Sequence, residues 1–210
     1  MTLRSLLGGL VPPRGPGSGS RSGRSYAFTS LTPIRTGRAH LLAAHLRDLP
    51  TGGRSPLARL DHVHLGRWLV LDDLKMTWPG APKDPTRLRS DYLLFTASVT
   101  APDSRYAEGL PGNFLADLAA RVPSEADAIW THCVDYPGSA AVDAFVAYLA
   151  RSQLDTLLFH VGYPDTTVAE VRHALAARDG LVNFVRTHQN ETDPARLQQA
   201  YLEESSTWSL

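Results

Sequence analysis

Residues 60–72 read LDHVHLGRWLVLD. Apolar residues recur at two-residue spacing, the period of a β-strand. Val63, Leu65, Leu69 and Leu71 share one parity, which we assign to a helix-packed core. His62, His64, Gly66, Trp68 and Val70 share the opposite face. Arg67 falls on the leucine parity, so either a bulge re-aims it or it is a buried cation with a partner such as Asp61 or Glu108.

Outward from this stretch the elements alternate. Residues 25–34 (SYAFTSLTPI) are rich in strand formers and close at Pro33. Thr36 is a candidate N-cap for a helix through residue 49, whose Leu42, Leu46 and Leu49 fall on one face. A loop spans Lys75 to Arg89, and residues 92–100 (YLLFTASVT) form another strand. Residues 112–122 form a short helix with Phe114, Leu115, Leu118 and Val122 inward. The second half carries an internal echo. Residues 128–137 (AIWTHCVDYP) and 155–164 (DTLLFHVGYP) each read as a strand closed by Tyr-Pro, and each leads into a helix, over 140–151 and 167–178. These two βα units predict a parallel strand pair with a right-handed crossover. Thr167 and Glu170 form a capping-box signature. Gly180 breaks the next helix before residues 181–188, Asp193-Pro194 starts the last one, and Trp208 is positioned to dock the C-terminal end. The order βαββαβ is that of an α+β, ferredoxin-like antiparallel sheet with helices on one face. The second βα unit and the C-terminal helices extend it.

Composition bounds the rest. The chain has 210 residues, 21 basic and 21 acidic, and this balance argues against a dedicated nucleic-acid binder. Residues 1–24, dominated by Gly, Pro, Ser and Arg, form a basic tail expected to be disordered, ahead of one domain over residues 25–210. No apolar run is long enough for a membrane span. The single cysteine, Cys133, makes the fold independent of a disulfide and fits a reducing, cytoplasmic setting. Arginine greatly outnumbers lysine, as expected from a GC-rich bacterial genome. P-loop, Rossmann, nucleophile-elbow, HExxH and CxxC motifs are all missing.

The stretches SYAFTSLTPI (25–34), TGRA (36–39), SPLARLDHVHLGRWLVLDDL (55–74) and DYLLFTASV (91–99) resemble ferredoxin-like modules that pair into dimeric α+β barrels. That superfamily includes chlorite dismutases and dye-decolourising peroxidases, many of which bind haem. The resemblance implies a homodimer and a cavity on the sheet for a planar small molecule, haem among the candidates. The peroxidases' Gly-x-x-Asp-Gly motif is incomplete: Ala177-Arg178-Asp179-Gly180 lacks the first glycine, so that peroxidase chemistry is not implied. The expected ligand-binding set is His62, His64, Trp68, Trp130, His132 and His160, gathered on the sheet face opposite the helices, together with Arg67 beside His64. Arg67 would hold a carboxylate by a bidentate contact. Helical His173 and His188 are alternative axial ligands. The reading divides between a planar-ligand-binding, oxidoreductase-related protein and a non-catalytic dimeric partner module docking through its tail.

Overall fold

The computed structural model describes residues 18–72 and 88–208, so most of the Lys75–Arg89 loop and residues 1–17 of the tail lie outside it. Among the described residues, those up to 165 form one compact unit, and those from 166 to 208 form a second.

The first unit is a two-layer α+β structure. Strands β1 (Arg21–Ser22), β2 (Ser25–Pro33), β3 (Val63–Leu71) and β4 (Tyr92–Thr100) form an antiparallel sheet in the order β1-β2-β4-β3. Residues 18–24 therefore do not belong to a free tail, because β1 pairs with the start of β2. Helices α1 (Ala39–Asp48), α2 (Ser104–Glu108), α3 (Gly112–Arg121), α4 (Pro123–Trp130) and α5 (Val142–Arg151) complete the unit. Phe114, Leu118, Ile129, Trp130 and Phe145 bury against Phe28, Leu93 and Phe95 of the sheet. The aromatic rings pack edge to face: Trp130 lies 5.4 Å from Phe95 and 5.8 Å from Phe145, centroid to centroid.

Several expectations are corrected. Residues 123–130 are helical, not a strand. Val122, Ala126, Ile129 and Trp130 are buried at helical spacing, and Pro123 occupies the first turn, where its missing N–H costs nothing. Residues 155–164 are not a strand either. The free edge of β2 is already taken by other segments: Leu31 N–H donates to Ser152 O (2.9 Å), Leu154 N–H to Thr29 O (2.8 Å), and Val134 N–H to Pro33 O (2.9 Å). Leu157 and Leu158 are left more than four-fifths exposed. Helix α1 starts after Arg38 and not at Thr36, because Gly37 adopts a left-handed φ of 76°.

The largest correction concerns β3. Gly66, Trp68 and Val70 pair across from Ala97, Phe95 and Leu93 and face the helices, while Leu65 is 65% exposed. A register shift between Val63 and Leu65 lets Val63 share the helix side with Gly66 and Trp68. The leucine parity is the outer face, so Arg67 is exposed and not a buried cation.

Asp127 fixes the connection from α4 to α5. Its carboxylate accepts Tyr136 Oη (2.6 Å), the Ser139 amide (2.9 Å) and Ser139 Oγ (3.0 Å). The Tyr136 hydroxyl, then the Ser139 donors, hold its pKa below the ordinary 3.8. That contribution is complete above the unfolded value and is lost as pH falls through the lower folded one. Asp127→Ala is expected to cost about 1–2 kcal/mol in urea denaturation at neutral pH, since it strands donors whose acceptor was charged.

In the second unit, α6 (Val168–His188) and α7 (Pro194–Ser205) form a helical pair. The Thr167/Glu170 capping box is present, and Asp193 caps α7 through the Ala195 amide. Gly180 does not break α6. The Trp208 ring lies where a Cβ would be, at 2.6 Å, so the helix runs through the glycine and buries its bare backbone.

Candidate functional site

The outer face of the sheet is built from alternate residues of three strands. In register, its rows are Ala27–Ser98–Leu65, Thr29–Thr96–Arg67, Leu31–Leu94–Leu69 and Pro33–Tyr92–Leu71. None of these residues belongs to the core cluster or packs against it. At ordinary strand spacing and rise, the rows cover roughly 20 Å by about 10 Å.

This face is divided along the strands. One end is apolar: Leu31, Leu94 and Leu69 in one row, Pro33, Tyr92 and Leu71 in the next. The other end is polar. Arg67 Nε donates to Thr96 Oγ1 at 3.1 Å, beside Thr29. His64 Nε2 meets Thr100 Oγ1 at 2.6 Å, Thr100 Oγ1 meets Ser25 Oγ at 3.1 Å, and Ser25 Oγ donates to Pro164 O at 3.0 Å. Donor counting sets the direction of this chain. The carbonyl only accepts, so Ser25 takes its hydrogen bond from Thr100, and Thr100 takes one from His64 Nε2–H. Both hydroxyl protons point away from the imidazole, so His64 does not activate either oxygen as a nucleophile. The four rows contain no carboxylate, and Arg67 is their one formal charge.

The remaining expected residues are scattered. His62 is buried at the edge of the core. Its Nε2 lies 2.8 Å from Tyr106 Oη, and Tyr106 donates to Asp117 Oδ2 at 2.8 Å, so Nε2 carries the proton that Tyr106 accepts. Burial lowers the His62 pKa, against the opposing pull of Asp117. Trp68 and Trp130 do come together, ring centroids 6.3 Å apart, but on the helix side, with Trp130 inside the core and Trp68 packed against it. His132 sits in the turn after α4, its pKa lowered by burial and by Arg38, His45 and Arg35. His160 lies in the irregular chain between α5 and α6. One face carrying four histidines and two tryptophans does not form, because the strands meant to supply Trp130, His132 and His160 are a helix, a turn and a loop.

Three of the candidate axial imidazoles are already engaged, while His132 Nδ1 is buried without a hydrogen-bond partner. His62 Nε2 is given to Tyr106, His64 Nε2 to Thr100, and His188 Nε2 to Glu204 at 2.9 Å. The described residues contain no group of three metal-ligating side chains, and none of their helices is long and apolar enough to cross a membrane. Cys133 is a buried core residue; burial pushes its thiol up to about 11.

The site residues that the sequence did not single out are Thr96, Thr100, Leu31 and Leu94. Their signal is cross-strand register, which no single strand carries. No family model matches the chain, and neither a curated protein nor a solved structure matches it.

Proposed function

We propose that this chain is a ligand-binding module that takes a flat, apolar molecule bearing one anionic group onto the outer face of its sheet. The observation that carries the reading is a lone guanidinium, with no carboxylate in its rows, bordering two rows of leucine, proline and tyrosine. A carboxylate at Arg67 gains a charge-assisted contact, and the apolar body covers Leu69 and the half-buried leucines beside it. The resemblance to ferredoxin-like modules supports the same use of the face. β2, α1, β3 and β4 follow one another with sheet order β2-β4-β3, and the chain returns after α5 to the edge of β2 at Gln153. No axial imidazole enters this reading, which therefore concerns binding and not oxidation.

The test is fluorescence titration with 9-anthracenecarboxylate and its neutral carboxamide. Wild type should favour the acid. Arg67→Leu should weaken the acid about tenfold or more, as expected for a hydrogen bond to a charged group, and leave the amide unchanged. Leu94→Asp should weaken both. Equal affinity of wild type and Arg67→Leu for the acid would refute the assignment.

A further inference from the structure

Strand β3 leaves one edge of the sheet open, since the strand order ends on it. Thr100 N–H donates to His62 O at 2.9 Å, and Asp91 O accepts Ile34 N–H at 2.8 Å. Even-numbered residues of β4 therefore turn their amides and carbonyls to β3, and odd-numbered ones to β2. In register, Ser98, Thr96, Leu94 and Tyr92 meet Leu65, Arg67, Leu69 and Leu71. The intervening Gly66, Trp68 and Val70 point their N–H and C=O groups away from β4, and no hydrogen bond from a described residue meets them. Such an edge is a template for another strand. A groove runs beside it, between β3 and α1. At the Gly66 end a hollow of about 260 Å³ is lined by Leu46, Leu49, Pro56 and Trp68. It shares Leu46 and Trp68 with a second hollow of about 270 Å³, which adds Ala43, Val70 and Arg47. Arg47 and Val70 continue into a third, bordered by Asp72, Asp91 and His40. Among the described residues, the side chains of Arg47, Asp72 and Asp91 have no ion-pair partner.

We propose that this groove takes an extended peptide, added to β3 as a further strand. The inference is independent of the ligand platform, which lies on the other face of the sheet. Unpaired N–H and C=O groups at two-residue spacing match an extended main chain, which supplies affinity, while hollows at alternate positions supply specificity. Antiparallel pairing is the more stable per residue, so the peptide's N-terminal end lies beside Asp72. Peptide side chains across from Gly66, Trp68 and Val70 fall on the groove side, as those residues do themselves. The order of chemistry along the groove then sets the sequence. Across from Gly66 the hollow is apolar and takes an aliphatic side chain. Trp68 fills its own row, so a small residue faces it. Across from Val70, Arg47 takes an acidic side chain, and at the Asp72 and Asp91 end a basic one is favoured. The peptide therefore reads basic-x-acidic-x-small-x-aliphatic from its N-terminus. A second copy's own β3 does not meet this pattern, because its groove-side residues are Gly66, Trp68 and Val70 and none is acidic.

Fluorescence anisotropy of the full chain with labelled acetyl-Lys-Thr-Glu-Thr-Ala-Thr-Leu-amide tests this. Wild type should bind it saturably. The alanine amide faces the Trp68 carbonyl, so N-methylating it should abolish binding, whereas N-methylating the next threonine, whose amide points to solvent, should change affinity by less than about twofold. Arg47 is exposed, so Arg47→Glu should fold normally; it should raise the dissociation constant about tenfold, and a peptide with arginine in place of its glutamate should restore binding. Arg67→Leu, on the outer face, should leave peptide affinity unchanged. A wild type that does not bind, two N-methyl peptides that bind alike, an Arg47→Glu without effect, or a loss of binding in Arg67→Leu would each overturn the proposal. So would a concentration-dependent dimer that excludes the peptide, which would give the edge to a second copy.

Discussion

Trp130→Ala is expected to cost about 3–5 kcal/mol, the range for deleting a fully buried large aromatic. A domain of this kind has only about 5–15 kcal/mol in total, so the variant should be largely unfolded by mild urea. The ring is fully buried and joins three groups: Phe95 on the sheet, Phe145 on α5 and Trp68 on β3. Removing it leaves a cavity where the two layers meet, and the neighbouring rings are too rigid to fill it. The indole also carries a burden: its Nε1 is buried without a hydrogen-bond partner. Trp130→Phe sheds that unsatisfied donor while keeping most of the apolar volume, and should cost less than half as much as the alanine change. Urea midpoints for both variants check this. A phenylalanine variant as unstable as the alanine one would mean that the indole N–H has a partner in solution.

The same tryptophan shows where the sequence could be read and where it could not. Strands β2 and β4 and helix α3 were legible because alternation or helical spacing ran unbroken to a proline or glycine boundary. Around Trp130 two patterns compete. Val122, Ala126, Ile129 and Trp130 follow a helix, whereas the β-formers from Ile129 to Val134 favour a strand. Burial against α3 and β4 settles the contest, and burial is a property of the partners. In β3 the difficulty is of another kind. Leu65, Leu69 and Leu71 make the outer face richer in leucine than the inner one, where Gly66 sits over Leu57 and Trp68 stacks on Phe95. The usual rule that the more apolar parity faces the core fails because this face is itself apolar and uncovered by the core. The misassignment and the proposed ligand platform thus share one cause. Arg67, anomalous as a core residue, is unremarkable as the charged member of a solvent-facing row.

Stability should fall as the protein is taken from neutral to mildly acidic pH, and His62 should contribute to that fall. Burial at the foot of β3 disfavours the imidazolium more than Asp117 and Asp61 favour it, and Arg121 adds to the penalty. The folded pKa therefore lies below 6.5, the ordinary value that the unfolded chain retains. A depressed histidine stabilises the fold fully above the unfolded pKa and loses that contribution as pH falls toward the folded one, because the unfolded chain then binds the extra proton. Partly buried His132 is shifted the same way. Both histidines therefore steepen the loss of stability toward acid pH. His62→Gln keeps an amide N–H for Tyr106 but cannot titrate. It should cost roughly 1–3 kcal/mol at pH 8, through poorer packing and hydrogen bonding. It should also make the fall toward acid pH shallower. Tyr106→Phe removes the acceptor for Nε2–H and the donor to Asp117, and should destabilise the protein at every pH in this range while leaving a histidine titration in place. Urea denaturation from pH 8 to pH 5 separates these outcomes. An unchanged slope in His62→Gln would show that protons taken up elsewhere drive the acid loss and that the buried His62–Tyr106–Asp117 chain is indifferent to pH.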